Sequence, residues 1–117
     1  MPCLQVFVNF AMTQEQKAAA SEALSKMVAK LTGKPEFYVM VLVNDNVEIR
    51  FGGDREAKAC FMDLRSIGCI SKSQNKKYSA EFTKYMGETF GVAHNRIYIS
   101  FADAPGQNWG YDGDTFA

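Results

Sequence analysis

Position 2 is a proline, and it carries the most distinctive chemistry the chain offers. Initiator methionine is normally removed ahead of a small second residue, so the mature chain is expected to begin with a prolyl secondary amine. A free α-amine titrates at about 7.7–8.0. Burial among apolar side chains disfavours its charged form, and a nearby lysine disfavours it again. Lowering the pKa by ~2 units takes ~2.7 kcal/mol of differential interaction, which a half-buried site can supply. Such an amine is a neutral base at pH 7, suited to taking a proton from carbon next to a carbonyl. Taken alone, Pro2 is better read as a tolerated terminal residue, and the chemistry needs support from other positions.

The remaining reactive residues exclude more than they offer. Cys3, Cys60 and Cys69 are an odd number with no close pair. Neither a disulfide framework nor a CxxC redox or zinc pair is expected, and a reducing, cytoplasmic setting is the simplest reading. His94 is the sole histidine, which excludes a multi-histidine metal site. It lies in the polar stretch Ala93-His94-Asn95-Arg96 and reads as a solvated turn residue. Gly52-Gly53-Asp54 is not a phosphate loop, because neither Lys-Ser/Thr nor a helix follows. Asp112-Gly113-Asp114 lacks the spacing and the terminal Glu of a calcium loop. Lys72, Lys76 and Lys77 read as a solvated helix face. No metal or cofactor is expected.

The elements that must position Pro2 fit one domain of 117 residues. Thirteen basic and 13 acidic side chains balance to zero, which argues against nucleic-acid or membrane binding by bulk electrostatics. With 47% apolar and 22% charged residues the chain has the composition of a globular fold, not a disordered one. No apolar run approaches the ~20 residues of a membrane span. The N-terminus lacks a basic stretch before an apolar core, so no secretion signal is expected.

Residues 3–10 alternate as a strand, with Leu4, Val6, Val8 and Phe10 on one face. Thr13 then starts a helix, with Gln16 placed for a capping box. Ala20, Leu24, Met27, Val28 and Leu31 form its apolar stripe, Gly33 caps it and Pro35 stops it. Residues 38–43 are apolar on both faces. Asn44-Asp45-Asn46 makes a turn, and residues 47–51 read as the second strand of a hairpin ended by Gly52-Gly53. Another strand is predicted over 57–67. A second helix follows Ser71 or Ser73, with the stripe Tyr78, Phe82, Tyr85, Met86 and Phe90, and Gly91 closes it. Residues 97–101 form a last strand, and a tail rich in Gly, Asp and Asn follows.

Each half thus runs strand, helix, glycine stop, polar turn, strand. The repeat predicts two βαβ units in one four-stranded mixed sheet, with both helices on one face and short extra strands: an α+β fold. Two helices of about 18 residues cover roughly one face of such a sheet. Several strands are apolar on both faces, so the open face is expected to be an interface, and a homo-oligomer follows.

The sequence resembles the macrophage migration inhibitory factor family, part of the tautomerase superfamily. The resemblance spans nearly the whole chain. It rests on Met1-Pro2, Thr32-Gly33-Lys34-Pro35, Phe51-Gly52-Gly53, Ser66-Ile67-Gly68, Arg96-Ile97-Tyr98-Ile99 and Asp114-Thr115-Phe116-Ala117, in that order and at the family's spacing. It implies a homotrimer with active sites between neighbouring subunits. It also implies cofactor-free tautomerase activity on phenylpyruvate-like aromatic 2-oxo acids, and often isomerisation of dopachrome analogues. Pro2 would then be the catalytic base, and Lys34 would bind the substrate carboxylate and depress the Pro2 pKa. The Ile67 amide would add a hydrogen bond to that carboxylate. Tyr98 of the adjacent subunit would hydrogen-bond the substrate, with Ser100 at the rim and Tyr38, Trp109 and Phe116 as aromatic walls. An anionic aromatic acid suits such a site, since flat rings bury large area and the anion needs one well-placed cation.

The chain also departs from the vertebrate pattern. Ser100 replaces an asparagine at the rim, and Tyr111 replaces a tryptophan. No CxxC is present, and Met12 stands near the position where the vertebrate protein has a receptor-contacting arginine. A signalling protein exported without a leader and recognised by a cell-surface receptor is the alternative function. A ferredoxin-like ligand-sensing module without catalysis is a third.

Overall fold

The computed structural model describes residues 1–117. Strand β1 (Cys3–Val8) buries Leu4, Val6 and Val8 on one side. Thr13 then caps helix α1 (Gln14–Thr32). The Thr13 hydroxyl accepts from the Gln16 amide, and the Gln16 side chain accepts from the Thr13 amide. These two bonds satisfy donors that a helix start leaves free. Gly33 ends α1 at φ 72°, a left-handed geometry that glycine adopts without steric cost. A 3-10 turn (Glu36–Tyr38) leads into β2 (Met40–Asn44), which returns parallel to β1.

The second half repeats the first. Strand β3 (Cys60–Ser66) leads to α2 (Lys72–Phe90), which is capped by Ser71 and closed by Gly91. A 3-10 turn (His94–Arg96) then feeds β4 (Ile97–Asp103), parallel to β3. Antiparallel pairing of β1 with β3 fuses the halves into one sheet of order β2-β1-β3-β4. The tail folds into a 3-10 turn (Gly106–Asn108) and a small hairpin of β5 (Gly110–Tyr111) and β6 (Asp114–Thr115). Asp112 and Gly113 both take positive φ, so this dipeptide is the tight turn of the hairpin.

Both helices pack on the same sheet face. Ala20, Leu24 and Val28 of α1 and Tyr78, Phe82 and Met86 of α2 are buried against Leu4, Val6, Met62 and Leu64. Met27, Leu31, Tyr85 and Phe90 are only half-buried and flank this core. Thr32 joins the buried stripe because its hydroxyl donates to the Val28 carbonyl at 2.6 Å. The opposite sheet face stays open. Tyr98 is 66% exposed, Met40 60%, Phe61 39% and Leu42 38%, so the tail does not cover it.

The expected hairpin over 47–51 does not form. Once β2 pairs parallel with β1, the chain after Asn44 runs beyond the end of β1, and no strand is left for it to pair with. The Val47 amide bonds the Val8 carbonyl, and the only bridge in the segment is the local Phe51–Asp54 pair. The first strand stops at Val8 instead of residue 10, and the strand predicted over 57–67 is Cys60–Ser66. Side chains take over the backbone groups there. Asn9 donates to the Ala57 carbonyl and accepts from the Ala59 amide. Arg96 donates to the carbonyls of Phe51, Asp54, Ala57 and Lys58 at 3.0–3.2 Å. It therefore holds a loop that has no ladder of its own.

Two outcomes follow. Arg96→Met strands four carbonyl contacts and is expected to lower unfolding free energy by about 2–4 kcal/mol, measured by urea titration. The Cys60 thiol is pushed up by burial to about 12, against roughly 8.5 for a free thiol. Its stabilising contribution is intact below about pH 8.5 and falls by ~1.4 kcal/mol per pH unit above it, as the unfolded thiol ionises first. The stability advantage over Cys60→Ala should therefore shrink between pH 9 and pH 11.

Candidate functional site

Because β1 is a central strand, its first residues lie inside the molecule. The Pro2 side chain is fully buried, and its carbonyl accepts from the Met40 amide at 3.1 Å. That bond extends the β1–β2 pairing back to residue 2. Above Pro2 opens an apolar cleft of about 390 Å³, lined by Met1, Pro2, Cys3, Phe37, Tyr38, Val39, Met40, Trp109, Gly110, Tyr111 and Phe116.

The aromatic wall is assembled from two distant segments. The 3-10 turn supplies Phe37 and Tyr38, whose rings meet edge-on at 5.2 Å. The tail supplies Tyr111 and Phe116, stacked at 5.3 Å. Tyr38 meets both edge-on, at 5.6 and 6.2 Å. These geometries suit ring quadrupoles and tie the tail to the turn. The Phe116 amide donates to the carbonyls of Gly106 and Trp109, which fixes its ring. A Cβ on Gly106 would sit 3.0 Å from the Phe116 carbonyl oxygen, a tight contact that a larger residue makes only if the tail shifts.

Lys34 follows the Gly33 cap, and its amide bonds the Thr32 hydroxyl at 3.2 Å. Its charge reaches the start of the chain. Burial first, and the Lys34 ammonium second, hold the α-amine of Met1 below its ordinary value, while Cys69 opposes them. That amine stands one residue outside the prolyl nitrogen that removal of Met1 would free. Cys3 has its thiol pushed up, by burial first and then by Asp63.

Ile67 lies one residue beyond β3. The Cys3–Arg65 register, continued by two residues, sets Ile67 opposite residue 1. Its amide donates no hydrogen bond within the chain. Gly68 and Cys69, both at positive φ, swing the chain away after it. The Gly68 amide is held by the Asp103 carboxylate at 2.9 Å, and the Ser66 carbonyl by the Ala104 amide. A free donor thus faces the position of the terminal nitrogen.

Pro2, Tyr38, Trp109 and Phe116 come together in the cleft, with Lys34 and Ile67 beside it. Tyr98 and Ser100 do not join them. Tyr98 pairs with Phe61, which pairs with Phe7. That is two strands over and roughly 15 Å along the sheet from Pro2. Ser100, opposite Asp63 and hence Gln5, is also remote within one chain. Sequence reasoning missed Phe37, Val39, Met40 and Cys3 as lining residues. A 3-10 turn has no hydrophobic period to reveal which side chains it presents. Met12 is buried, and its amide bonds Asp45, so no side chain is presented to solvent there.

Two βαβ halves in one sheet, with the chain start buried under aromatic rings, form the frame of the site. The chain belongs to the macrophage migration inhibitory factor family, whose sequence pattern it matches over residues 1–117. It is 40% identical over 95 residues to a macrophage migration inhibitory factor homolog of Trichuris trichiura, covering 81% of this chain and 82% of that one. It is 34% identical to the Xenopus tropicalis macrophage migration inhibitory factor over the full length of both. The crystal structure of a homologue from Prochlorococcus marinus superposes with TM-score 0.92 at 30% identity, covering 98% of this chain and 99% of that one.

The depressed terminal amine is testable directly. In a chain beginning at Pro2, NMR titration of the prolyl nitrogen should give a midpoint below the ordinary 7.7–8.0, and Lys34→Gln should move it upward.

Proposed function

We propose that this protein is a cofactor-independent keto–enol tautomerase of phenylpyruvate-like aromatic 2-oxo acids, with dopachrome-type compounds as further substrates. The observation that carries this reading is Pro2 buried beneath the aromatic cleft, beside a cation that disfavours a charged terminal amine. The substrate ring lies between Tyr38, Phe116 and Trp109. Its carboxylate meets Lys34 and the free Ile67 amide. The neutral Pro2 nitrogen takes a proton from C3 of the keto acid. The C–H electron pair becomes the C2–C3 double bond, the carbonyl π pair moves to oxygen, and that oxygen gains a proton. The reverse sequence restores the ketone, so no redox partner is needed. Proton transfer of this kind contributes ~10²–10⁴-fold in rate.

The active unit in this reading is a homotrimer. Three features support assembly. The open sheet face presents Met40, Leu42, Phe61 and Tyr98. Strands β2 and β4 are both free edges. Residues 47–50 alternate between half-buried and exposed, yet have no partner strand in the chain. A neighbour's β4 would bring Tyr98 and Ser100 to the rim of the cleft. Receptor signalling gains less support, since Met12 is buried where the resemblance would need a basic contact.

Pro2→Gly should lower kcat/KM for phenylpyruvate, followed by ultraviolet absorbance, by 100-fold or more. An N-terminal extension that acylates the prolyl nitrogen should do the same. Rates unchanged by both would exclude Pro2 as the base. Sedimentation equilibrium should give three protomers, and Phe61→Asp should yield monomers with reduced activity.

A further inference from the structure

Ile67 stands between two peptide planes, and each is held from the end of β4. The Ser66 carbonyl accepts from the Ala104 amide at 2.9 Å. The Gly68 amide donates to the Asp103 carboxylate at 2.9 Å. A trans peptide sets its carbonyl and its N–H on opposite sides of one rigid plane. The Ser66 carbonyl is drawn to the β4 flank of β3, so the Ile67 N–H in the same plane points to the β1 flank. That is the flank on which Pro2 precedes the first strand.

Neither hold belongs to the regular ladder. The β3–β4 register ends at Ser66 and Asp103. The Ala104 bond lies one residue past that end, where pairing frays most readily. The chain then turns through two positive-φ residues, Gly68 at 76° and Cys69 at 61°. The left-handed region is costly for a residue with a Cβ, so Cys69 needs restraint from outside. The Tyr78 hydroxyl supplies it by donating to the Cys69 carbonyl at 2.6 Å, and the Cys69 thiol donates to the Thr32 carbonyl at 3.3 Å. Gly68 has no side chain by which to be held, and its amide bonds Asp103 alone.

Asp103 forms no ion pair that would give its charge another use. By alternation along β4 it shares a face with Ile99 and Phe101, which pack on the helix-side core. It thus stands off the open face that a neighbouring subunit would cover, and both holds on Ile67 are made within one chain.

We propose that Asp103 is a positioning residue: by accepting from the Gly68 amide it locks the turn after β3 and aims the Ile67 N–H at the substrate carboxylate. It takes no part in proton transfer. The inference rests on the tautomerase reading for the identity of the bound anion. The charge of Asp103 acts in the opposite sense, since a carboxylate near an anion site repels the anion. Removing the charge alone therefore tightens anion binding, whereas removing the hold weakens it.

Asp103→Ala removes both, and Asp103→Asn removes the charge but keeps an acceptor oxygen. Cinnamate, which cannot enolise, and neutral cinnamamide are titrated into each variant, with the fluorescence of Trp109 in the cleft wall as the signal. The cinnamate Kd should rise about tenfold in Asp103→Ala and stay at or below the wild-type value in Asp103→Asn. Cinnamamide should bind all three proteins alike. The KM for phenylpyruvate should rise with the cinnamate Kd while kcat changes little. The wild type itself gives a readout that no folding defect can obscure. Its Gly68 amide should be protected from hydrogen exchange without ligand, and its Ile67 amide should gain protection when cinnamate is added. Absence of cinnamate binding by the wild type, unchanged or tighter cinnamate binding in Asp103→Ala, an equal loss in Asp103→Asn or with cinnamamide, or a freely exchanging Gly68 amide would overturn the positioning role. A loss confined to cinnamate and Asp103→Ala, in a protein that does not enolise phenylpyruvate, would uphold that role and overturn the tautomerase reading alone.

Discussion

The structure depends on burying the start of the chain. A chain end is ordinarily the most solvated stretch of a protein, because its last residues have neighbours on one side only. Here the first strand is central, hydrogen-bonded to β2 on one flank and β3 on the other. The ladder bonds extend to the Pro2 carbonyl. Residue 2 is thereby held with the rigidity of a sheet, while the backbone nitrogen before it sits at the sheet's end. Every other part of the cleft is arranged around that point.

The cations and dipoles follow from the same placement. Lys34 is carried there by the left-handed turn at Gly33, which ends α1 and redirects the chain toward β2. The Ile67 amide is free because the β1–β3 pairing ends at Cys3 and Arg65, two residues short of it. A terminal strand in a central position leaves an unpaired donor on its neighbour, and that donor is available to an anion. The aromatic wall has a different origin. It is made by the tail and the 3-10 turn, which meet through ring contacts with few backbone bonds.

Much of the fold was legible in the sequence, and the limits have physical causes. Helix caps at Thr13, Gly33 and Gly91 depend on local chemistry, so they read directly, while of the two candidates Ser71 and Ser73 the structure selects Ser71. The buried stripes of both helices read almost as well. The segment 47–51 misled because its period-2 alternation is real, whereas pairing is a property of the surrounding chains. Strand lengths were overestimated where Asn9 and Arg96 take the backbone groups in place of a ladder. Of the site, Pro2, Tyr38, Trp109 and Phe116 converge. Phe37 and Met40 carried no signal, since their positions follow from a turn and a parallel register. Tyr98 and Ser100 lie on β4, two strands over from Pro2, a separation that the motif carrying the resemblance does not reveal.

The ring of Phe116 touches the same cleft as Pro2. The pocket therefore joins two segments that lie on either side of both βαβ halves. Closing so long a loop costs more entropy than any contact within one half. The two halves can order on their own contacts, and the cleft acquires its aromatic wall only after they have docked into one sheet.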